Sequence, residues 1–90
     1  MRLRITRVDG DEGTVLRIDG RLAAGCLDEF RKACEETRQR LLLNLQGVLW
    51  IDDRAAEYVR SLIAGGAIVT DASPYVALRL NDKKDKEVEP

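Results

Sequence analysis

The stretch "LLLNLQGVLWIDDRAAEYVRSLIAGG", Leu41 to Gly66, decides the fold of this chain. It opens with a nearly continuous apolar run, Leu41 to Gln46, which is too short for a helix. Such runs are typical of central strands that are covered on both faces. Apolar residues then recur at three- and four-residue spacing from Ala55 to Ile63, which predicts an amphipathic helix. Gly65 and Gly66 are expected to end this helix, because glycine is favoured just past a helix C-terminus.

The residues before this stretch predict two strands and a first helix. Arg2 to Val8 alternates in polarity, and Thr14 to Gly20 follows a turn at Asp9 to Gly13, so a β-hairpin is expected. A helix is expected over Ala24 to Arg38, because apolar residues recur along one side of it. Those residues are Leu27, Phe30, Ala33 and Cys34. Since a helix connects the second strand to the strand at Leu41, these two strands should be parallel.

The residues after the second helix predict a fourth strand, Ala67 to Ala72, and a short third helix. Ser73 suits the N-cap of that helix and Pro74 its first position, although the residues that follow would also suit a strand. Residues 81–90 are mostly charged, so we expect a disordered tail there and a single domain over residues 1–80.

The predicted fold class is therefore α/β. We expect a small mixed sheet of about four strands, with two main helices packed on one face and a short third helix for which a strand stays the alternative. The apolar residues expected to be largely buried are Leu16, Ile18, Leu27, Phe30, Leu41, Leu43, Leu45, Val59, Leu62, Ile63, Ile68 and Val69.

Composition and charge exclude several classes of function. The 90 residues carry a net charge of -1 and no block of basic residues, so no nucleic-acid partner is expected. No apolar run reaches the length of about 18 residues that suggests a membrane span. The N-terminus also lacks the apolar core of a signal peptide. These features predict a cytoplasmic protein without direct membrane insertion.

Catalysis is not expected from this sequence. The chain has no histidine, no GxxxxGK phosphate loop and no GxGxxG motif. Cys26 and Cys34 lie eight residues apart in the predicted first helix, or about 12 Å along its axis, which is too far for a disulfide. Two cysteines without a histidine make a poor zinc site. We therefore expect no enzyme activity, no metal and no cofactor.

Two adjacent carboxylates mark the start of the second helix. Acids at an N-cap and in a first turn satisfy free N–H groups and complement the helix dipole, together contributing about 1 to 2 kcal/mol. This explanation is sufficient for Asp52. For Asp53, first-turn electrostatics and a role at a partner-binding surface both stay open, and Arg54 beside it would neutralise part of the local charge.

The order of these segments resembles the STAS domain, the family named after sulphate transporters and anti-sigma factor antagonists. In that family the second strand ends in a glycine, here Gly20. The third strand follows the form apolar-apolar-apolar-Asp-apolar, here Leu41 to Leu45 with Asn44 in place of the acid. A short loop then leads to Asp-Ser-Ser/Thr-Gly, which here reads Asp-Asp-Arg-Ala over Asp52 to Ala55. The resemblance covers about residues 1–80, but the signature serine is missing.

The resemblance implies a regulatory position at Asp53. In antagonist-type members, the serine after the Asp is phosphorylated by a partner kinase, and the phosphate ends binding to that kinase or anti-sigma factor. Matched residue by residue, that serine falls on Asp53. A carboxylate is not a substrate of a serine kinase, and it carries one negative charge where phosphoserine carries about 1.5 to 2. Asp53 is therefore expected to imitate the modified state partially and permanently, without regulation by phosphorylation there.

The predicted partner-binding surface surrounds the start of the second helix. Leu49 and Trp50 are expected on the loop before that helix, and tryptophan is enriched among interface hot spots. The other explanation is that Trp50 covers the sheet edge of a small core, and the same alternatives stay open for Tyr58. The predicted partner-binding residues are Leu49, Trp50, Asp52, Asp53, Arg54, Glu57 and Tyr58.

The sequence favours a non-catalytic protein-interaction module that resembles an anti-sigma factor antagonist. The resemblance implies partner switching in bacterial transcription control, with an anti-sigma factor, a switch kinase or another regulatory protein as the partner. The alternative is an accessory subunit of a membrane transport assembly for lipids or anions, which would dock on a transporter subunit from the cytoplasmic side. Weak nucleotide binding and homodimer formation are left open.

Overall fold

The structure is a computed structural model, and it describes residues 3–88, without the side chains of Ala24 and of residues 82–88. The described residues form one four-stranded sheet and three α-helices. The strands are β1 (Arg4–Asp9), β2 (Thr14–Leu22), β3 (Leu41–Ile51) and β4 (Ile68–Ala72). The α-helices are α1 (Leu27–Glu35), α2 (Asp53–Ala64) and α3 (Pro74–Val88), and a 3-10 turn (Ala24–Cys26) precedes α1. This architecture confirms the predicted α/β class.

The sheet is mixed, with the strand order β1-β2-β3-β4. β1 and β2 form the expected antiparallel hairpin. β3 is parallel to both β2 and β4, because α1 and α2 each carry the chain back to the end of the sheet where the preceding strand began. β3 is therefore a central strand, as its apolar sequence indicates.

One face of the sheet holds the hydrophobic core. Alternate residues of β2 and β3 point to this face, and all three helices add side chains to the same cluster. Phe30 of α1, Val59 of α2 and Val76 of α3 are each fully buried. The opposite face is not covered in the part of the chain that the structure describes, and it exposes Arg17 and Ile68. The expectation that the central strand is covered on both faces was wrong for the described residues.

β3 is longer than the predicted Leu41–Gln46 segment, because it continues to Ile51. Its register with β2 shifts twice, and beyond the shifts Leu22 still pairs with Ile51. Gly47 lies under the Asp19 carboxylate, which a Cβ atom at this position would displace. The glycine thus accommodates a neighbouring side chain within the strand, and Leu49 and Trp50 belong to β3 rather than to a loop.

The predicted core is partly confirmed. Six of its members are fully buried, namely Leu16, Ile18, Phe30, Leu43, Leu45 and Val59. Four others are half-buried against the core, namely Leu27, Leu41, Leu62 and Val69. The prediction was wrong for Ile63 and Ile68, which are 41% and 43% exposed. Ile68 belongs to an edge strand and pairs with Leu42 on the uncovered face, whereas Ile63 lies near the C-terminus of α2.

Two helices differ in length from the prediction. α1 ends at Glu35 rather than Arg38, since the Thr37 hydroxyl donates to the carbonyl oxygen of Ala33 at 3.1 Å and so competes with the helical pattern. α3 is not short, because it runs to Val88. It begins as predicted, with the Ser73 hydroxyl oxygen accepting from the Val76 N–H at 3.2 Å. The division of the chain at residue 80 into domain and tail stays a prediction, and residues 89–90 lie outside the described residues.

The turn between β1 and β2 requires a glycine at its end. Gly13 has a φ of +148°, and a Cβ atom on it would lie 2.5 Å from the carbonyl oxygen of Arg40. That carbonyl also accepts a hydrogen bond from the Thr14 N–H at 2.8 Å, so it is fixed by the start of the β2–β3 pairing. The backbone itself therefore excludes a side chain here.

We predict that Gly13→Ala lowers the free energy of unfolding by about 2 kcal/mol or more, through strain and the backbone clash. Gly25→Ala is the matched control, because a Cβ atom on Gly25 would meet nothing within 4 Å. Urea unfolding followed by circular dichroism measures both variants. Equal unfolding midpoints for the two variants would contradict the backbone argument.

Candidate functional site

The predicted partner-binding residues occupy the end of β3 and the first turns of α2. Leu49 and Trp50 are exposed within the last three residues of β3, with exposed fractions of 63% and 43%. Arg54 and Glu57 are exposed on α2. The structure thus corrects the loop assignment of Leu49 and Trp50 but keeps both side chains at the surface.

Asp52 is the N-cap of α2. Its backbone is extended, with φ of -91° and ψ of 177°, and its carboxylate accepts from the Ala55 N–H at 2.9 Å. The Asp52 N–H donates to the carbonyl oxygen of Leu22 at 3.2 Å, which fixes the cap to the end of β2. The capping explanation of Asp52 is confirmed, and the start of α2 is held at a defined place on the sheet.

Asp53 forms an ion pair with a residue that the sequence argument missed. An Nη atom of Arg79 donates to Asp53 Oδ1 at 2.7 Å. Asp53 exposes 88% of its side chain, whereas Arg79 on α3 exposes 25%. The sequence pointed to Arg54 as the neutralising cation, but this contact comes from a residue 26 positions further along the chain. The exposed carboxylate of Asp53 therefore has a basic partner on α3.

The backbone of Ile51 anchors α3 beside this pair. The Tyr75 hydroxyl accepts from the Ile51 N–H at 3.2 Å and lies 3.4 Å from the Ile51 carbonyl oxygen, to which it donates. The Arg79 guanidinium donates to the same carbonyl through Nε at 3.4 Å and Nη at 3.3 Å. Tyr75 and Arg79 lie one turn apart on α3, so one face of this helix joins the end of β3 to the start of α2.

Trp50 is held in an aromatic and cationic stack. Its ring stacks on that of Tyr75, with centroids 6.4 Å apart and planes inclined by 25°. The guanidinium carbon of Arg21 on β2 lies 5.6 Å from the centroid of the Trp50 ring. We call Arg21, Trp50, Tyr75 and the Asp53–Arg79 pair the Trp50 cluster. It presents a large, partly exposed aromatic ring in a fixed orientation, with charges of both signs beside it.

Tyr58 belongs to a different environment. Its ring packs edge-on against Phe30, with centroids 5.6 Å apart, and the guanidinium of Arg31 lies 5.5 Å from its centroid. Burial raises the pKa of Tyr58. Burial likewise raises the pKa of the neighbouring Cys34 thiol to about 11, which keeps it a thiol at neutral pH. Tyr58 therefore joins α2 to α1, and the structure does not bring it into the Trp50 cluster.

Three members of the Trp50 cluster were not found from the sequence. Tyr75 and Arg79 lie four residues apart after Pro74, which places them on one face of the third helix. Nothing in the sequence shows which surface that face meets. Arg21 follows Gly20, where the predicted second strand ended, and its pairing with Trp50 depends on the register shifts between β2 and β3.

Comparison with known proteins adds no family assignment. No protein-family model matches the chain, and no curated protein matches it. Within residues 3–88, no helix combines the length and the apolar character needed to cross a membrane. The fold and the Trp50 cluster define a small α/β domain with an exposed aromatic surface at the carboxyl end of its central strand.

We predict different stability effects for the two adjacent acids. Asp52→Ala should lower the free energy of unfolding by about 1 kcal/mol, because it removes the N-cap hydrogen bond. Asp53→Ala should cost less, about 0 to 1 kcal/mol, because an ion pair with one exposed partner is screened by solvent. Thermal and urea unfolding at low and high salt measure both variants. A larger loss for Asp53→Ala would show that the pair with Arg79, rather than the cap, holds the start of α2.

Proposed function

We propose that this protein is a non-catalytic interaction module that binds a regulatory protein through the Trp50 cluster and Leu49. The observation that carries the proposal is the exposure of Leu49 and Trp50, at 63% and 43%, on a rigid strand rather than a mobile loop. A fixed aromatic ring loses little conformational entropy on binding, and tryptophan and arginine are enriched among interface hot spots. A cytoplasmic location is part of this proposal.

The resemblance to anti-sigma factor antagonists supports the class of partner. In that pattern the partner contacts the start of the second helix, where this chain exposes Asp53. The carboxylate at this position is held by Arg79 at 2.7 Å, so its charge is fixed in place and partly balanced. We propose that Asp53, with a single charge that Arg79 partly balances, does not end binding as a phosphate would, and that the partner is an anti-sigma factor or switch kinase bound without a phosphorylation step.

The Trp50→Ala variant tests the proposed surface. It should weaken partner binding by about 2 kcal/mol or more, or roughly 30-fold, because a hot-spot aromatic is lost. The fold should persist, because Trp50 is not among the fully buried residues. Capture of the partner from the native organism, identification by mass spectrometry and titration calorimetry with the purified partner give the dissociation constants.

Two further variants complete this test, one as a control outside the proposed surface and one within it. Glu29→Ala changes an exposed residue of α1, and it should leave the affinity within about twofold of the wild type. Asp53→Ala should change mainly the association rate and its salt dependence, as exposed charges do. Equal losses for Glu29→Ala and Trp50→Ala would place the binding surface elsewhere. A transporter subunit as the captured partner would favour the alternative role in a transport assembly.

A kinase assay tests the absence of a phosphorylation switch. Incubation of the wild-type chain with the partner kinase and ATP should leave its mass unchanged, because a serine kinase does not modify Asp53. The two serines have other contacts: the Ser61 hydroxyl donates to the Tyr58 carbonyl at 2.6 Å, and Ser73 caps α3. Asp53→Ser should gain one phosphate. Phosphate on Ser61 or Ser73 of the wild-type chain would overturn the argument.

A further inference from the structure

The uncovered face of the sheet carries two ordered rows of side chains. In the register of the four strands, Val8 pairs with Val15, Val15 with Leu42, and Leu42 with Ile68. These four residues form what we call the apolar row, which crosses the whole sheet.

The neighbouring row is polar and is built by the same register. Thr6 pairs with Arg17, Arg17 with Asn44, and Asn44 with Asp71. We call these four residues the polar row. Arg17, Asn44 and Asp71 line a depression of about 380 Å³ in this face. The two rows together hold apolar, cationic and anionic groups at fixed positions.

This face is unusual for a sheet of this kind. β2, β3 and β4 are mutually parallel, and parallel strands are almost always covered on both faces. Here the two ends of the apolar row are exposed to solvent, with Val8 and Ile68 exposed by 56% and 43%. A continuous apolar row across a sheet is typical of a surface that another chain covers.

We propose that a second copy of this chain covers the face, so that two sheets pack face to face around a two-fold axis. The axis runs parallel to the strands between β2 and β3. It places β1 over the partner copy's β4 and β2 over the partner copy's β3. Residues at the same level along the strand direction then contact each other. The apolar row then meets the apolar row, with Val8 against Ile68 and Val15 against Leu42.

Complementary polar groups favour this arrangement, which also brings Arg17 of one copy within one strand spacing of Asp71 of the other. In the polar row, the same axis sets the Thr6 hydroxyl, a donor, against the Asp71 carboxylate, an acceptor. It sets Arg17 against Asn44, at the depression that Asp71 also lines. Arg17 Nε contacts Asp19 Oδ2 at 3.3 Å within its own chain, and the guanidinium carries further donors for the amide oxygen. No two like charges face each other in the row.

Other two-fold arrangements match less well. An axis along the apolar row would bring each strand over its own copy and would leave the polar row without contacts. A second copy in the proposed orientation therefore uses both rows, whereas the alternative uses one. The proposal is independent of the Trp50 cluster and goes beyond the proposed function.

The size of the face predicts a weak, reversible dimer. Four strands about 4.8 Å apart and about 20 Å long give roughly 800 Å² of total buried area, at the low end for specific complexes. Sedimentation velocity on the full chain, from about 1 to about 500 µM, covers the range in which such a dimer forms. A wild-type chain that stays monomeric over this range overturns the proposal.

A charge exchange tests the geometry. Thr6→Asp alone sets two carboxylates against each other across the axis, and Asp71→Arg alone sets the arginine introduced in one copy beside Arg17 of the other. Each single variant should weaken the dimer by about tenfold or more, and the double variant should restore the affinity to within about threefold of the wild type. Within one chain the two positions lie about 14 Å apart, three strand spacings, so restoration must come from the contact between copies.

The remaining outcomes are also decisive. A double variant that stays weaker than both single variants overturns the proposed axis. Ile68→Lys should weaken the dimer by about tenfold or more, whereas Leu78→Lys, which changes a 62% exposed residue of α3, should not. Equal effects of these two lysines overturn the proposed face. Both residues are exposed, so each variant should keep its fold, and circular dichroism is the measurement that checks this.

Discussion

The burial of one side of β3 is the constraint on which the rest of the structure depends. Leu43, Leu45, Val48 and Ile51 are 0 to 3% exposed, and all three helices pack against the face they share. Burying four such side chains contributes at most about 6 to 12 kcal/mol, which is comparable to the net stability of a typical domain. Because β3 pairs on both sides with parallel strands, this one strand also fixes where α1 and α2 must cross the sheet.

The same strand connects the core to the candidate site. The side chain of Ile51 is fully buried, while its N–H and carbonyl groups contact Tyr75 and its carbonyl also contacts Arg79. Arg79 then reaches Asp53, and Tyr75 supports the ring of Trp50. The surface that we propose for partner binding is therefore built directly beside a fully buried residue of the sheet, Ile51. Changes in the partner-facing side chains need not disturb the strand that carries them.

Sequence patterns predicted the elements well and their boundaries less well. Helical spacing and the double glycine gave α2 correctly, because an amphipathic stripe and its cap are local features. The loop predicted at Leu49 and Trp50 was wrong, since the sequence does not show that β3 continues to Ile51 in pairing with β2. At the site, Asp52 was predictable from capping alone. The Asp53–Arg79 contact was not, because it depends on how α3 docks, and docking is set by packing between segments distant in the sequence.

Tyr75 has a consequence for how the sheet ends. β4 pairs with β3 only as far as Leu45, so the last residues of β3 have no strand beside them on that side within the described chain. The Tyr75 hydroxyl bonds both the N–H and the carbonyl of Ile51. A free strand edge is a template for unwanted pairing with other chains, and proteins blunt such edges in several ways. Here a single side chain closes the edge at Ile51, which protects the most hydrophobic strand against edge-to-edge aggregation at that end.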